Sequence, residues 1–279
     1  MDIDRYVEEK KGLINRTLET LVPLGDNPVE RAIRYSLIDD KASRWRPILS
    51  LIIGESFGDN YPALPRISCA AELVHTLSLI VDDLPCMDNA KMRRGRKTCH
   101  LVYGQAFTTL AALWLQEQAH SVIATCPLPP RHKDYLYNIS AKTMQKMISG
   151  QASDLENNIG ITFEGILKRY SEKTGELSAF AALVGGLGAR DLRNEDLMDF
   201  GRNIGIAYQI IDDINDAECD SEITGKDAKV DEKRKLITAV TRLGVDDARK
   251  KAREFRDKSL EFAKGKHLLE DFVRKLIDV

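Results

Sequence analysis

Apolar residues recur at steps of three and four along almost the whole chain, as at Leu197, Phe200, Ile204, Ala207 and Ile211, a spacing that puts every member on one helical face. Period-two alternation is scarce and no strand pattern alternates with the helices, so a parallel sheet with crossover helices is disfavoured and the fold class is all-α. Turn-forming residues interrupt the periodicity at 23–28, 58–62, 127–130, 185–188 and 220–231. None of these breaks is long enough for a domain linker. With 279 residues and 43% hydrophobic content the chain can bury a large core, and residues 1–279 are expected to form a single domain.

Two acidic sets stand out against this frame. Gln209, Asp212, Asp213 and Asp216 fall at i, i+3, i+4 and i+7, a polar stripe on a helix whose other positions, among them Ile206, Ile210 and Ile211, are apolar. Carboxylates crowded on a largely buried helix repel one another and resist desolvation unless a cation sits among them, and oxygen-only ligands suit a hard ion such as Mg²⁺. Taken alone, the stripe also reads as the solvated acidic end of a helix. The segment from Leu73 to Asp88 repeats the logic: an apolar helix runs into Asp82 and Asp83, Pro85 breaks the helical hydrogen bonding, and Asp88 can fold back toward the same place. Two such sets are expected on facing walls of a cavity.

Basic clusters accompany them. Arg93-Arg94-Gly95-Arg96-Lys97 follows the first acidic set, and Lys41, Arg44 and Arg46 precede Pro47. Guanidinium forks suit phosphate oxygens, so the combination points to a diphosphate held partly by metal and partly by cations. Surface salt bridges are the plainer reading of the basic groups by themselves.

The formal net charge of −2 lacks the basic excess of a nucleic-acid binder. Five scattered cysteines without a Cys-x-x-Cys pair argue against a disulfide framework or a zinc knuckle, and a reducing cytoplasm is the expected compartment. The Asp-, Glu- and Lys-rich start resembles neither a secretory signal nor a transit peptide. Apolar windows near 48–53 and 73–81 are shorter than the ~20 residues of a membrane span, so no stable membrane insertion is expected.

The motifs in order, Leu73-Val74-His75-Thr76-Leu77-Ser78-Leu79-Ile80-Val81-Asp82-Asp83-Leu84-Pro85-Cys86-Met87-Asp88, then Arg93-Arg94-Gly95, Gly150-Gln151 with Asp154-Leu155, Lys173-Thr174-Gly175 and Tyr208-Gln209-Ile210-Ile211-Asp212-Asp213, resemble the trans-isoprenyl diphosphate synthases of the geranylgeranyl and farnesyl diphosphate synthase type. The resemblance covers residues 41–250. It implies the isoprenoid synthase fold, a bundle of about a dozen helices around a central cavity, and a homodimer. It implies that Asp82, Asp83, Asp88, Asp212 and Asp216 bind three Mg²⁺ ions bridged to an allylic diphosphate, which Arg93, Lys173 and Lys226 also contact. Arg46, His75 and Arg94 would hold isopentenyl diphosphate, and Arg44 belongs to the same basic stretch. The carbonyl of Thr174 and the amide oxygen of Gln209 would face the allylic carbocation that forms when diphosphate leaves.

Several positions depart from the family pattern. Ser43 stands where the family has a phosphate-binding lysine in Gly-Gly-Lys-Arg-x-Arg-Pro, with Lys41 two residues upstream; Ala90 and Lys91 replace acidic residues; and Lys233-Arg234-Lys235 replaces a final Gly-Lys. A weakly active or inactive partner subunit is therefore the rival to an active prenyltransferase. A terpene cyclase is disfavoured, because Asn215-Asp216-Ala217-Glu218-Cys219 lacks the Ser or Thr of that class's metal motif. Leu77 and Ser78, five and four residues before Asp82, stand where shorter-chain synthases place an aromatic plug, which points to a twenty-carbon geranylgeranyl product, with farnesyl diphosphate as the alternative.

Overall fold

The computed structural model describes residues 2–58, 61–156, 160–188, 193–218 and 237–279. The three-to-four periodicity becomes α1 (Ile3–Glu19), α2 (Pro28–Leu37), α3 (Trp45–Ser56), α4 (Leu64–Asp82), α5 (Cys99–Tyr103), α6 (Gln105–Thr125), α7 (Pro130–Glu156), α8 (Phe163–Tyr170), α9 (Glu176–Gly185), α10 (Asn194–Glu218), α11 (Ala239–Leu243), α12 (Val245–Phe262) and α13 (His267–Leu276). The breaks read at 23–28, 58–62, 127–130 and 185–188 all fall between helices; the one at 220–231 lies outside the described residues, as do Lys226 and Lys233-Arg234-Lys235. At the first break Asn27 accepts from the Val29 and Glu30 backbone N–H groups, both at 3.0 Å, while Pro28 occupies the first helical turn, where its missing N–H costs nothing.

Two helices are buried on all sides and form the centre. α3 is buried from Trp45 to Gly54 and α9 along its entire length, and the two pack together, with the Ser50 hydroxyl donating to the Ala181 carbonyl at 2.6 Å. Around them α4 packs on α6, α3 and α9, while α10 packs on α9 and α12. The face read from sequence on α10 is buried as expected: Leu197, Phe200, Ile204 and Ala207 join Ile48, Ile52 and Phe272 in one core cluster, with Ile211 at its edge. α4 is long and apolar enough by length and composition to cross a membrane, more so than its short apolar windows suggest, but 67% of that window is buried inside the bundle.

Two elements among the described residues lie outside the helical periodicity. Met92–Arg93 pairs antiparallel with Arg96–Lys97 across a turn in which Arg94 (φ 52°) and Gly95 (φ 75°) are both left-handed. Between α8 and α9, residues Ser171–Gly175 form a π-helical turn, so the chain from Phe163 to Gly185 is one helix with a bulge. Both elements border the cavity described next.

Candidate active site

A cavity of about 800 Å³ opens among α4, α7, the π turn and α10. Its first wall is the end of α4, where His75, Ser78 and Asp82 follow one another at helical steps and all line the space. After Pro85 the chain turns back, the Asp88 N–H donates to the Asp82 carbonyl at 2.8 Å, and Asp88 joins Asp82 on the cavity surface, as the sequence predicted. The opposite wall is α10, which presents Gln209, Asp212 and Asp216.

Close packing explains why these side chains meet. A Cβ on Gly205 would come within 2.6 Å of the Gly175 Cα and 3.0 Å of the Thr174 oxygen, so only glycine lets α10 lie against the π turn. Gly150 does the same for α7, where a Cβ would sit 2.6 Å from the Lys173 nitrogen. One helical turn beyond each glycine stands a functional side chain, Gln209 on α10 and Asp154 on α7. The Thr174 hydroxyl then donates to Gln209 Oε1 at 2.8 Å, and Gln209 Nε2 donates to Asp213 Oδ1 at 3.1 Å, which fixes the amide with its oxygen toward the π turn. The Thr174 carbonyl accepts the Ser178 hydroxyl at 3.0 Å. Lys173 Nζ donates to Asp154 Oδ2 at 2.6 Å; burial works against its charge, yet Asp154, Asp82 and Asp88 together raise its pKa.

Asp82 is lifted by burial to about 6, with Asp88 adding to the rise and Lys173 opposing it. Asp83 differs. It is buried, its carboxylate accepts from Arg93 Nε and Nη2 at 2.7–2.9 Å, and it does not line the cavity; its place is behind Arg93, which does. In the second acidic pair both carboxylates line the cavity, and Asp213 accepts the Tyr170 hydroxyl, which in turn accepts the Ala239 N–H at 2.7 Å.

On the third side lies a cationic rim of Arg46, His75, Arg93 and Arg94. Burial, reinforced by Arg94 and opposed by Tyr208 and Glu72, pushes Arg46 down to about 10, and its Nε is buried without a hydrogen-bond partner among the described residues. Burial and then Arg46, Arg94 and Arg93 hold His75 well below the ordinary imidazole value. A charged cluster with unmet donors is a place prepared for an anion.

Arg44 corrects the sequence reading. Its guanidinium is 1% exposed and bonds Glu72 Oε1 at 2.6 Å, Asn15 Oδ1 at 2.9 Å and the Leu37 carbonyl at 2.6 Å. It therefore ties α1, α2 and α4 to the start of α3 and stays out of the cavity. Leu77 and Ser78 do line the cavity, near Met147 and Leu177. Sequence reasoning named Gln151 and Asp154 within a motif but gave neither a role, and passed over Tyr170 and Arg169. Arg169 Nη1 and both amide atoms of Gln151 are buried on the cavity lining without hydrogen-bond partners among the described residues. The signal for Asp154 was present, four residues after Gly150.

Among the described residues no three His, Cys, Asp or Glu side chains converge closely enough to hold a metal ion unaided. Two oxygen-donor sets on opposite walls nevertheless fit Mg²⁺, which keeps several waters and is bound through one or two carboxylates plus substrate phosphates. An all-helical bundle whose cavity opposes paired carboxylates across a gap, with guanidinium groups at its rim, is built to receive diphosphate esters with apolar tails. The polyprenyl synthetase family model matches residues 27–275, and the chain belongs to that family. It is 35% identical over 258 residues to the geranylgeranyl diphosphate synthase of Cyanophora paradoxa, covering 88% of this chain and 85% of that one. It is 33% identical over 263 residues to the farnesyl diphosphate synthase of Geobacillus stearothermophilus, covering 90% and 88%. The solved geranyltransferase of Helicobacter pylori, complexed with magnesium and isoprenyl diphosphate, superposes with a TM-score of 0.81 at 25% identity, covering 98% of this chain and 96% of that one.

Proposed function

We propose that this chain is an active Mg²⁺-dependent short-chain prenyl diphosphate synthase that condenses isopentenyl diphosphate with an allylic diphosphate. The observation that carries the reading is the convergence of Asp82 and Asp88 with Asp212 and Asp216 on one cavity that Lys173 also lines. Asp82, Asp88, Asp212 and Asp216 would hold magnesium, three ions by family resemblance, and the ions would supply positive charge to offset the negative charge that builds on the departing diphosphate. Lys173 and Arg93 orient that diphosphate from the protein side. As the allylic C–O bond breaks, the oxygens of Thr174 and Gln209 face the cation, and apolar residues such as Met147 and Leu177 keep water from it. Arg46, His75 and Arg94 hold isopentenyl diphosphate, whose double bond forms the new C–C bond. The proton then lost passes to the released diphosphate, so no side chain has to act as general base.

Geranylgeranyl diphosphate is the proposed product, since the cavity is large and Leu77 and Ser78 leave it without an aromatic stop at that depth. The test is product analysis of the purified chain with isopentenyl diphosphate, Mg²⁺ and each allylic starter. A twenty-carbon product from wild type and a shorter one from Leu77→Phe support the reading. No elongation without a second synthase favours the partner-subunit alternative, and unchanged length in Leu77→Phe puts the floor elsewhere. A homodimer belongs to the same proposal. Leu101 and Val102 on α5 and Phe107, Leu110 and Leu113 on α6 are exposed, an apolar ridge of the kind that a second copy covers. Cys69, Cys99 and Cys126 are buried free thiols, in keeping with a reducing cytoplasm.

A further inference from the structure

The loop between α2 and α3 alternates its side chains. Ala42 is fully buried and Arg44 is locked into the core, whereas Lys41 and Ser43 are exposed and both line the cavity. The path is fixed from several sides: the Ala42 N–H donates to the Asp39 carbonyl at 3.1 Å, the Lys41 N–H donates to Asp39 Oδ1 at 2.9 Å, and Arg44 takes a left-handed backbone (φ 55°) held by its three side-chain bonds. Residues two apart on such a stretch share a side, and their Cα atoms are separated by about 6.6 Å. That gap is within reach of a lysine's four-carbon stem.

The tip of Lys41 goes toward the rim. Its Nζ sits 3.0 Å from where a Cβ on Gly95 would be, so it lies over the hairpin turn that carries Arg94 into the cavity. Glycine at 95 serves twice here, allowing the left-handed turn and clearing the space that the ammonium occupies. Asp39, two residues before Lys41, is engaged by the Lys41 backbone and by Arg94 and Arg96, each 3.9 Å away. No ion pair to the Lys41 ammonium is found among the described residues. An ammonium thus joins Arg46, His75 and Arg94 on one cavity rim.

We propose that Lys41 is a diphosphate-binding residue of the isopentenyl diphosphate site, delivering from two residues upstream the charge that Ser43 cannot supply. The proposal deepens the functional reading above and rests on it for the identity of the ligand. The Ser43 hydroxyl, on the same side, is a neutral partner for the same phosphate group. Removal of an exposed lysine leaves the core intact, so the variant is expected to fold.

The experiment is calorimetric titration of isopentenyl diphosphate into the full chain, with wild type, Lys41→Ala, the double variant Lys41→Ala/Ser43→Lys, and Lys264→Ala as a remote control for net charge. Lys41→Ala is expected to raise Kd about tenfold, the range of one charge-assisted hydrogen bond. The double variant returns Kd to within about threefold of wild type, since a lysine at 43 reaches the same phosphate, and Lys264→Ala leaves it unchanged. A Kd unchanged in Lys41→Ala, no recovery in the double variant, or no binding of isopentenyl diphosphate by wild type each overturns the proposal. Because binding is read without turnover, a wild type that binds but makes no elongated product defeats the functional reading alone.

Discussion

Asp82 and Asp212 sit on long helices whose positions are set by core packing, whereas Arg46 reaches the same cavity from the first turn of α3, beside the left-handed Arg44, and Arg94 from a hairpin turn. On the acidic walls the side chains are placed by helical phase, and the glycines at 150 and 205 set how closely the helices approach. On the cationic rim they are placed by single left-handed residues, Arg44 at φ 55° and Arg94 at φ 52°, each held by its surroundings. Drift over a whole helix disturbs the first arrangement, while one backbone angle disturbs the second. The walls are also electrostatically uneasy by themselves, as the raised pKa of Asp82 records, while Arg44 beneath the rim is a fully compensated buried charge.

The strongest way to sharpen this contrast is Asp82→Asn. Loss of one carboxylate from the site should lower kcat by about 10²–10³-fold, as for other deletions of a single transition-state contact. Stability should not fall. The folded-state pKa of Asp82, about 6, lies above its unfolded value, so at pH 7 the fold disfavours the ionised form that asparagine removes. Thermal melts without magnesium beside single-turnover rates would check both halves. A large loss of Tm would mean that Asp82 supports the fold and that the wall is not strained for function.

Arg44→Met is the converse. Leaving Glu72 buried without its partner should cost about 3–5 kcal/mol of stability, read by denaturant unfolding. In the fraction that stays folded, KM for isopentenyl diphosphate should change by less than about threefold, because Arg44 does not line the cavity. A tenfold rise in KM with stability intact would return Arg44 to the phosphate-binding set in which its sequence context had placed it.

That misplacement marks where the sequence stops being legible. Helical phase is written in residue spacing, so Leu197 to Ile211, the acidic stripe on α10 and the return of Asp88 after Pro85 could all be read before any coordinates. Left-handed angles at arginine are not written anywhere, and Arg44 and Arg46, two residues apart, looked alike as phosphate ligands. Only the turn at Arg44 sends one into the core and the other to the rim. The π turn at Ser171–Gly175 escaped for a similar reason: nothing in its residue spacing marks the extra residue, although Gly150 and Gly205 on the neighbouring helices approach it closely. Asp83 was read as an equal of Asp82 because adjacency on a motif does not tell which carboxylate faces a cavity and which braces Arg93.

The smallest predicted effect tests the rim through His75. Burial and the neighbouring arginines depress its pKa in the fold, and the unfolded chain returns it to about 6.5, so the unfolded state takes up the proton first as pH falls. Stability is therefore fully present above about pH 6.5 and declines below it, by at most about 1.4 kcal/mol per pH unit from this one group. Asp82 acts with the opposite sign between about 6 and its unfolded value, since there the fold binds the proton first, and comparison with His75→Gln isolates the histidine. A diphosphate placed among Arg46, Arg94 and His75 reverses the local field that keeps the imidazole neutral. Histidine NMR should then show the His75 midpoint moving up by about one unit or more when isopentenyl diphosphate is added. An unmoved midpoint at saturating ligand would place the anion away from His75 and separate this side chain from the rest of the rim.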